Sequence, residues 1–164
     1  KTTLVNALKE LDQFKGYNFA TERSQHLMSL GIPLNTDSTL KGQTVFLAER
    51  CGELMHDNII TDRTILDVMA FTMNAKSIPY QDKEAFEVYA SEFIREYDYI
   101  FYISPHGLEI EDNGVRETDE HYRDLIDFTI TTLIKRHGHK AGAIEKISGS
   151  TEERIQQILN VTKL

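Results

Sequence analysis

The chain is poor in proline and cysteine, lacks long apolar runs, and has fewer basic than acidic residues. Three prolines and no low-complexity tract give no sign of a linker or repeat, so residues 1–164 are interpreted as one domain. The single cysteine, Cys51, excludes an intrachain disulfide and suits a reducing cytoplasm. No apolar stretch reaches membrane-spanning length, so no membrane partner is expected.

The charge balance bears on possible partners. A net charge of -8 at pH 7 disfavours nucleic acid, because non-specific binding to it depends on basic surfaces that face phosphates. A locally basic cleft is compatible with this total, so DNA stays open as a partner. Nothing in the composition decides between a monomer and an oligomer.

Helical and strand-like segments alternate along the chain. Strand-like runs lie at 17–21, 58–61, 98–104 and 143–147, and the third, DYIFYIS, is the clearest because no breaker interrupts it. Helical periodicity predicts helices at 4–11, 22–30, 39–56, 66–73, 83–96, 122–137 and 151–159. Two-sided apolar strands separated by helices predict an α/β fold with a parallel sheet flanked by helices.

The first residues have the pattern that follows the glycines of a phosphate-binding loop. Lys1, Thr2 and Thr3 precede an amphipathic run, as in G-x-x-x-x-G-K-[ST], although the glycines are absent. In this interpretation all three residues bind ATP, and the Thr2 hydroxyl also binds magnesium. An exposed helix start with a threonine cap is the alternative. We expect the strand before this loop, the central strand of such a sheet, upstream of Lys1.

Acid–arginine pairs follow two of the predicted strands. Glu22-Arg23 follows the first strand, and Asp62-Arg63 follows the second. Ligands of doubly wound sheets bind at the carboxyl ends of the strands. One such pair alone is usually a surface ion pair, but two pairs at strand ends favour a site.

These residue types suit phosphoryl transfer. Asp62 is predicted to hold magnesium, directly or through water, since hard oxygen ligands and phosphates favour this ion. Glu22 is a candidate general base for an acceptor hydroxyl, and Arg63 is expected to contact the acceptor or a phosphate. Arg23 is assigned to the acceptor site. Asp67 either pairs locally with Arg63, four residues earlier, or hydrogen-bonds the acceptor.

A lid is predicted at about 108–124. The run EDNGVR at 111–116 is a turn signal, and a charged segment follows it. Arg116 and Arg123 are seven positions apart, so on one helix they would share a face and close over a triphosphate. A solvated, charged loop is the alternative.

Together these pieces resemble a small P-loop kinase of the nucleoside and nucleotide kinase group. The chain is most similar to the AAA-like ATPase/kinase family that contains the nicotinamide riboside kinase domain and many bacteriophage proteins. The matching motifs, in chain order, are KTTLVNAL, TER, TDRTILDVMAF, YDYIFYISP, EDNGVRETDEHYR and ISGSTEERI.

The resemblance implies a three-layer P-loop NTPase fold whose first, central strand is missing from this chain. It also implies ATP as phosphoryl donor, magnesium as cofactor, and Gly149 to Arg154 near the adenine. Asp62 stands where deoxynucleoside kinases usually have glutamate, and this departure weakens its assignment as a metal ligand.

The sequence therefore predicts a kinase that transfers phosphate from ATP to a small nucleoside or nucleotide. Two alternatives stay open. One is a kinase acting on a hydroxymethylated pyrimidine in bacteriophage DNA, which the net charge disfavours. The other is a non-catalytic ATP-binding or ATPase module. The base Glu22, the acid Asp62 and the arginines Arg116 and Arg123 favour transfer over nucleotide sensing.

Overall fold

The computed structural model describes residues 2–21, 24–105 and 120–164. Helices and strands alternate through these segments in the predicted order. The helices are α1 (Thr2–Lys9), α2 (Ser24–Ser29), α3 (Leu40–Glu53), α4 (Ile65–Asn74), α5 (Tyr80–Ser91), α6 (Glu120–His137) and α7 (Thr151–Thr162). The strands are β1 (Asn18–Ala20), β2 (Ile59–Thr61), β3 (Tyr99–Tyr102) and β4 (Ala143–Lys146). Within these segments, no helix combines the length and apolarity needed to cross a membrane.

The four strands form two parallel pairs, which confirms the predicted strand direction. β1 lies beside β2 with Phe19 opposite Ile60, and β3 lies beside β4 with Ile100 opposite Ile144. Helical connections join the strands of each pair, as parallel pairing requires. Among the described residues the two pairs share no ladder. A cavity of about 1100 Å³ is lined by residues of both β2 and β3.

The larger apolar cluster of the core surrounds α4. Ile65 and Met69 on this helix are fully buried, and they pack with residues of α3, α5 and α6. Ile100 of β3 belongs to the same cluster. Each fully buried side chain of this kind contributes roughly 1.5–3 kcal/mol. These contacts hold the amino end of α4, and therefore the residues that follow β2, in place.

The smaller apolar cluster joins the two ends of the described chain. Leu4 and Leu8 of α1 pack with Ile158 of α7, and Phe101 of β3 is packed against them. Ile100 and Phe101 point to opposite faces of β3, because successive residues of a strand alternate between its two faces. Ile100 therefore packs in the larger cluster and Phe101 packs against the smaller one. Helices therefore contact both sides of this strand.

Side-chain caps define where the helices of the site begin. Thr39 caps α3 by accepting a hydrogen bond from the Gly42 backbone nitrogen. A reciprocal capping box starts α4 with Thr64 and Asp67, and another starts α7 with Ser150 and Glu153. Ser150 is the N-cap residue of α7.

Candidate functional site

The centre of the site is a hydrogen bond between residues sixty positions apart. The Thr2 hydroxyl donates to Oδ2 of Asp62 at 2.7 Å. Thr2 is the first residue of α1, and Asp62 directly follows β2. The Asp62 backbone nitrogen donates to the Ala20 carbonyl oxygen, 3.2 Å away, and this bond anchors the aspartate to the end of β1. Two residues assigned to magnesium from the sequence are thus in direct contact.

The second oxygen of Asp62 is unsatisfied. Asp62 is only 7% exposed, and its Oδ1 atom finds no hydrogen-bond partner among the described residues. Buried carboxylate oxygens are normally bonded, so an orphaned one invites a ligand. A carboxylate beside a hydroxyl is an oxygen donor set that fits Mg²⁺, which usually keeps several waters and takes only one or two protein ligands. The described segments contain no group of three or more His, Cys, Asp or Glu suited to a metal.

Arg63, the next residue, is held at two points. Its guanidinium lies 3.6 Å from Oδ1 of Asp67 and 5.6 Å from the centroid of the Phe71 ring. Its side chain is 28% exposed and lines the same cavity as Thr2 and Asp62. Ion pairing and cation–π attraction together restrain the Arg63 cation beside the Thr2–Asp62 pair.

Asp67 stabilises the start of α4. Its Oδ2 accepts from the Thr64 backbone nitrogen at 2.8 Å, while its Oδ1 faces Arg63. The local Arg63–Asp67 pair expected from the spacing is present, although Arg63 precedes the helix rather than lying in it. Asp67 therefore orients Arg63 and caps α4.

The first turns of α6 form another part of the cavity wall. Arg123, whose side chain is 24% exposed, lines the cavity, and its Nε lies 3.5 Å from Oδ1 of Asp124. The Tyr102 hydroxyl at the end of β3 donates to Oδ1 of Asp127 at 2.6 Å. Burial, together with this bond to a carboxylate, raises the pKa of Tyr102 to about 12. Tyr102 is thus a fixed donor at neutral pH.

The remaining predicted residues are placed differently. Arg154 of α7 lines the same cavity as Thr2 and Asp62. Gly149 does not; it lines a separate shallow depression with residues of the first turns of α7. Thr3 is exposed and is not among the residues that line the cavity.

Several predicted residues lie outside the described segments. They are Lys1, Glu22, Arg23 and Arg116, together with residues 108–119 of the predicted lid. The last part of that lid, 120–124, is the beginning of α6. The roles assigned to these residues stay predictions.

Two buried polar side chains in the cavity wall were not flagged by the sequence. Ser38 is 0% exposed and Gln43 is 3% exposed, and both line the cavity. Small polar residues near a helix start usually act as caps or face solvent. Their burial depends on how α3 packs, so no local pattern indicates it. The only sequence signal was the position of Gln43, four residues before the inward-facing Leu47 and therefore on the same face of a helix.

The fold and the site define a class of protein. Parallel strands alternate with helices, a threonine follows a lysine at a helix start, and that threonine binds an aspartate at a strand end. In P-loop NTPases a serine or threonine of the phosphate loop and an aspartate at the end of another strand hold magnesium. The class is therefore the nucleotide-binding P-loop NTPases.

Comparison with known families agrees with this class. A family model described as AAA domain matches residues 1–154. The chain therefore belongs to this AAA-like family of P-loop NTPases, which indicates binding of ATP and activity of the ATPase type. No curated protein matches the chain, and no solved structure does.

Proposed function

We propose that the protein transfers a phosphoryl group from ATP to a small nucleoside or nucleotide. The observation that carries the proposal is the Thr2–Asp62 hydrogen bond, with the orphaned Asp62 Oδ1 and the restrained Arg63 beside it. Thr2, Asp62 and Arg63 line one cavity, so a single bound ligand can contact all three. The Arg63 guanidinium beside Asp62 is a cation that can neutralise charge on a transferred phosphoryl group.

The proposed fold is a three-layer P-loop arrangement with a fifth, central parallel strand. β2 and β3 each have a strand partner on one edge only among the described residues, and both line the large cavity. Unpaired ladder groups on inner strands cost free energy. A strand between β2 and β3 would pair both edges, and helices already contact both sides of β3.

Donor binding is assigned to the residues around α1. Thr2 and Asp62 would hold Mg²⁺, directly or through water, and the ion would supply neutralisation of phosphate charge. Lys1 would contact phosphate oxygens, whereas the position of Thr3 outside the cavity lining gives its predicted contact no support. Gly149 to Arg154 would lie near the adenine; the placement of Arg154 in the cavity wall supports part of this assignment.

The acceptor would be activated and oriented by residues that follow β1 and β2. Glu22 accepts the proton of the acceptor hydroxyl, whose oxygen bonds to the γ-phosphorus as the bond to the β–γ bridging oxygen breaks and ADP leaves. Arg63 stabilises the charge on the transferred group, and Arg23 binds the acceptor. Arg116 and Arg123 would close over the triphosphate and exclude water.

The proposal is tested by following labelled phosphate. Full-length protein is incubated with γ-labelled ATP, Mg²⁺ and a panel of nucleosides, nucleoside monophosphates and hydroxymethyluracil-containing DNA. Label on a small acceptor supports the proposal. Label on DNA alone would replace it with a DNA kinase, and label released only to water would replace it with an ATPase.

One variant connects this test to the structure. Asp62→Asn keeps the size of the side chain but removes its charge, so turnover should fall at least about 100-fold while the protein stays folded. Asp12→Asn, at an exposed position, is the control and should leave turnover unchanged. Equal activity of the two variants would remove Asp62 from the site.

A further inference from the structure

We propose that the outer face of α6 binds the same face of a second copy of this chain, with the two helices antiparallel. The outer face consists of five residues spaced four, three, four and three positions apart, namely His121, Leu125, Phe128, Thr132 and Lys135. Alternating steps of three and four positions form the contact line of paired helices, because they return to one side of a helix every 3.5 residues. None of the five residues lines the cavity, so the inference does not depend on the proposed function.

The middle of the outer face is apolar and exposed. Phe128 is 69% exposed and Leu125 is 46% exposed, whereas the opposite stripe of α6 packs Tyr122, Ile126 and Leu133 into the larger core cluster. A surface helix normally carries charged and polar residues on the face that points away from the core. Here α6 has apolar side chains on two faces, and adjoining apolar side chains at a surface are typical of a protein–protein contact.

Two threonines beside Phe128 can be covered without loss of a hydrogen bond. The hydroxyls of Thr131 and Thr132 both donate to the Phe128 carbonyl oxygen, at 2.9 Å and 2.8 Å. Side-chain hydroxyls that are bonded to the backbone of their own helix do not depend on water for a partner. Burial of this part of the face against another helix therefore leaves neither hydroxyl unsatisfied.

The inner side of α6 is fixed to the rest of the molecule at two points. The Asn74 side-chain amide of α4 donates to the Thr129 hydroxyl at 2.9 Å. Near the end of the helix, the Arg136 guanidinium donates to Oε1 of Glu87 on α5 at 2.5 Å. These contacts hold the outer face in one orientation, and a face that is already ordered loses little conformational freedom when it binds.

The charges at the two ends of α6 select a second copy in the antiparallel orientation. Glu120 lies in the first turn and Lys135 in the last turn, and both are exposed. They lie eight positions before and seven positions after Phe128, so a twofold axis near Phe128 brings each Glu120 opposite the Lys135 of the other copy. A parallel pair would place like charges together, whereas the antiparallel pair forms two attractive contacts and also opposes the helix dipoles.

The experiment measures the association of the full-length protein by analytical ultracentrifugation. A single pair of helices makes a small interface, and interfaces below about 1,200 Å² are typical of weak complexes, so the concentration series extends to about 1 mM. The wild type should form a dimer within this series. Phe128→Asp should raise the dimer Kd at least about 10-fold, because it places a charge at the centre of the contact.

The matched control is Val88→Asp on α5, where the apolar side chain is 67% exposed and lies outside the proposed contact. It should leave the dimer Kd unchanged. Because both positions are exposed, neither variant should shift the midpoint of urea unfolding by much, so a loss of association cannot be attributed to unfolding.

A charge exchange tests the antiparallel orientation. Lys135→Glu places an acid opposite Glu120 at both ends of the contact, so it should raise the dimer Kd roughly 3–10-fold at low salt. The double variant Glu120→Lys with Lys135→Glu restores opposite charges and should recover most of the lost affinity. Failure of the double variant to recover affinity would overturn the antiparallel arrangement.

Two other outcomes would reject the dimer. A wild-type protein that stays monomeric up to about 1 mM would leave the outer face of α6 to a different partner and overturn the inference. A dimer that Phe128→Asp and Val88→Asp affect equally would form through another surface, and this result would overturn the inference as well.

Discussion

Hydroxyl groups around the cavity differ in whether they have a partner. Thr2 and Tyr102 donate to the carboxylates of Asp62 and Asp127 at 2.7 Å and 2.6 Å. Ser38, by contrast, has no partner for its Oγ among the described residues. The bonded hydroxyls hold carboxylates in fixed positions, whereas the Ser38 hydroxyl is buried without a partner.

Tyr102 makes stability depend on alkaline pH. Its pKa is raised to about 12 from an ordinary value of 10, first by burial and then by the bond to Asp127. The folded state therefore keeps a proton that the unfolded state loses, so stability should fall as the pH rises from 10 to 12. Tyr102→Phe should flatten this part of the curve, measured by urea unfolding at several pH values.

The matched control for this experiment is Tyr99→Phe, on the same strand at a position 43% exposed. It should leave the slope between pH 10 and 12 as in the wild type. An unchanged slope in Tyr102→Phe would assign the alkaline loss to other groups, such as Tyr97, whose pKa is also raised by burial.

At the scale of elements, two helices begin with the same hydrogen-bonded cap. Capping boxes start α4 and α7, and each joins a hydroxyl at the cap to an acid three residues later. The acid of the α4 box, Asp67, also faces Arg63 at 3.6 Å. The cap of α4 therefore stabilises its helix and also positions the Arg63 guanidinium. No such second contact is described for the cap of α7.

Cap removal should distinguish these two helices. Thr64→Ala and Ser150→Ala should each lower the free energy of unfolding by about 1 kcal/mol. Only Thr64→Ala should also raise the KM for the acceptor several-fold, because Asp67 and Arg63 lose their alignment. Equal stability losses with equal KM values would show that the cap of α4 does not govern Arg63.

The β3–β4 pair requires glycine at position 142, because two backbone segments approach each other closely there. A Cβ atom on Gly142 would lie 2.5 Å from the Asp98 carbonyl oxygen, which accepts from Ala143. Gly142→Ala should therefore destabilise the protein by roughly 1–3 kcal/mol. Gly52→Ala in α3, where a Cβ would meet nothing within 4 Å, should stabilise it by about 0.5–1 kcal/mol. Thermal unfolding of both variants checks the contrast.

Local sequence patterns predicted the presence of helices and strands better than they predicted the residues at which these begin and end. The uninterrupted run at 98–104 gave a clear β3, and the order of all four strands was predicted correctly. Apolar periodicity predicts the fifth helix at 83–96, but α5 begins at Tyr80, directly after Pro79, and a 3-10 helix follows it at Glu92–Glu96. The proline signal for a helix start outweighed the apolar periodicity there.

At the scale of the whole molecule, the stabilisation of the fold by ATP and Mg²⁺ should test whether Thr2 and Asp62 bind a metal. ATP with Mg²⁺ at about 100 times its Kd should stabilise the fold by about 2.7 kcal/mol, or about 5–10 °C in Tm. Removal of the metal with EDTA should reduce this shift. Asp62→Asn should make the shift insensitive to EDTA. A wild-type shift that EDTA leaves unchanged would count against a metal at Thr2 and Asp62.

The candidate site was partly predictable, because strand ends converge in parallel folds. This rule predicts Asp62 and Arg63 at the site, and the structure places both on one cavity with Thr2. Gln43 and Ser38 could not be anticipated in the same way. Their burial depends on the contact between α3 and α4, a long-range property that no local pattern contains.

The separation of the strands into two pairs has a consequence for the order of folding. Asn18 must find Ile59, and Tyr99 must find Ala143, so the two closures span 41 and 44 positions. Their loop-closure entropies differ by less than about 0.1 kcal/mol, so neither pair has an advantage. α4 and α5 are separated by only five residues and pack together. We therefore expect this helical hairpin to form before either strand pair closes.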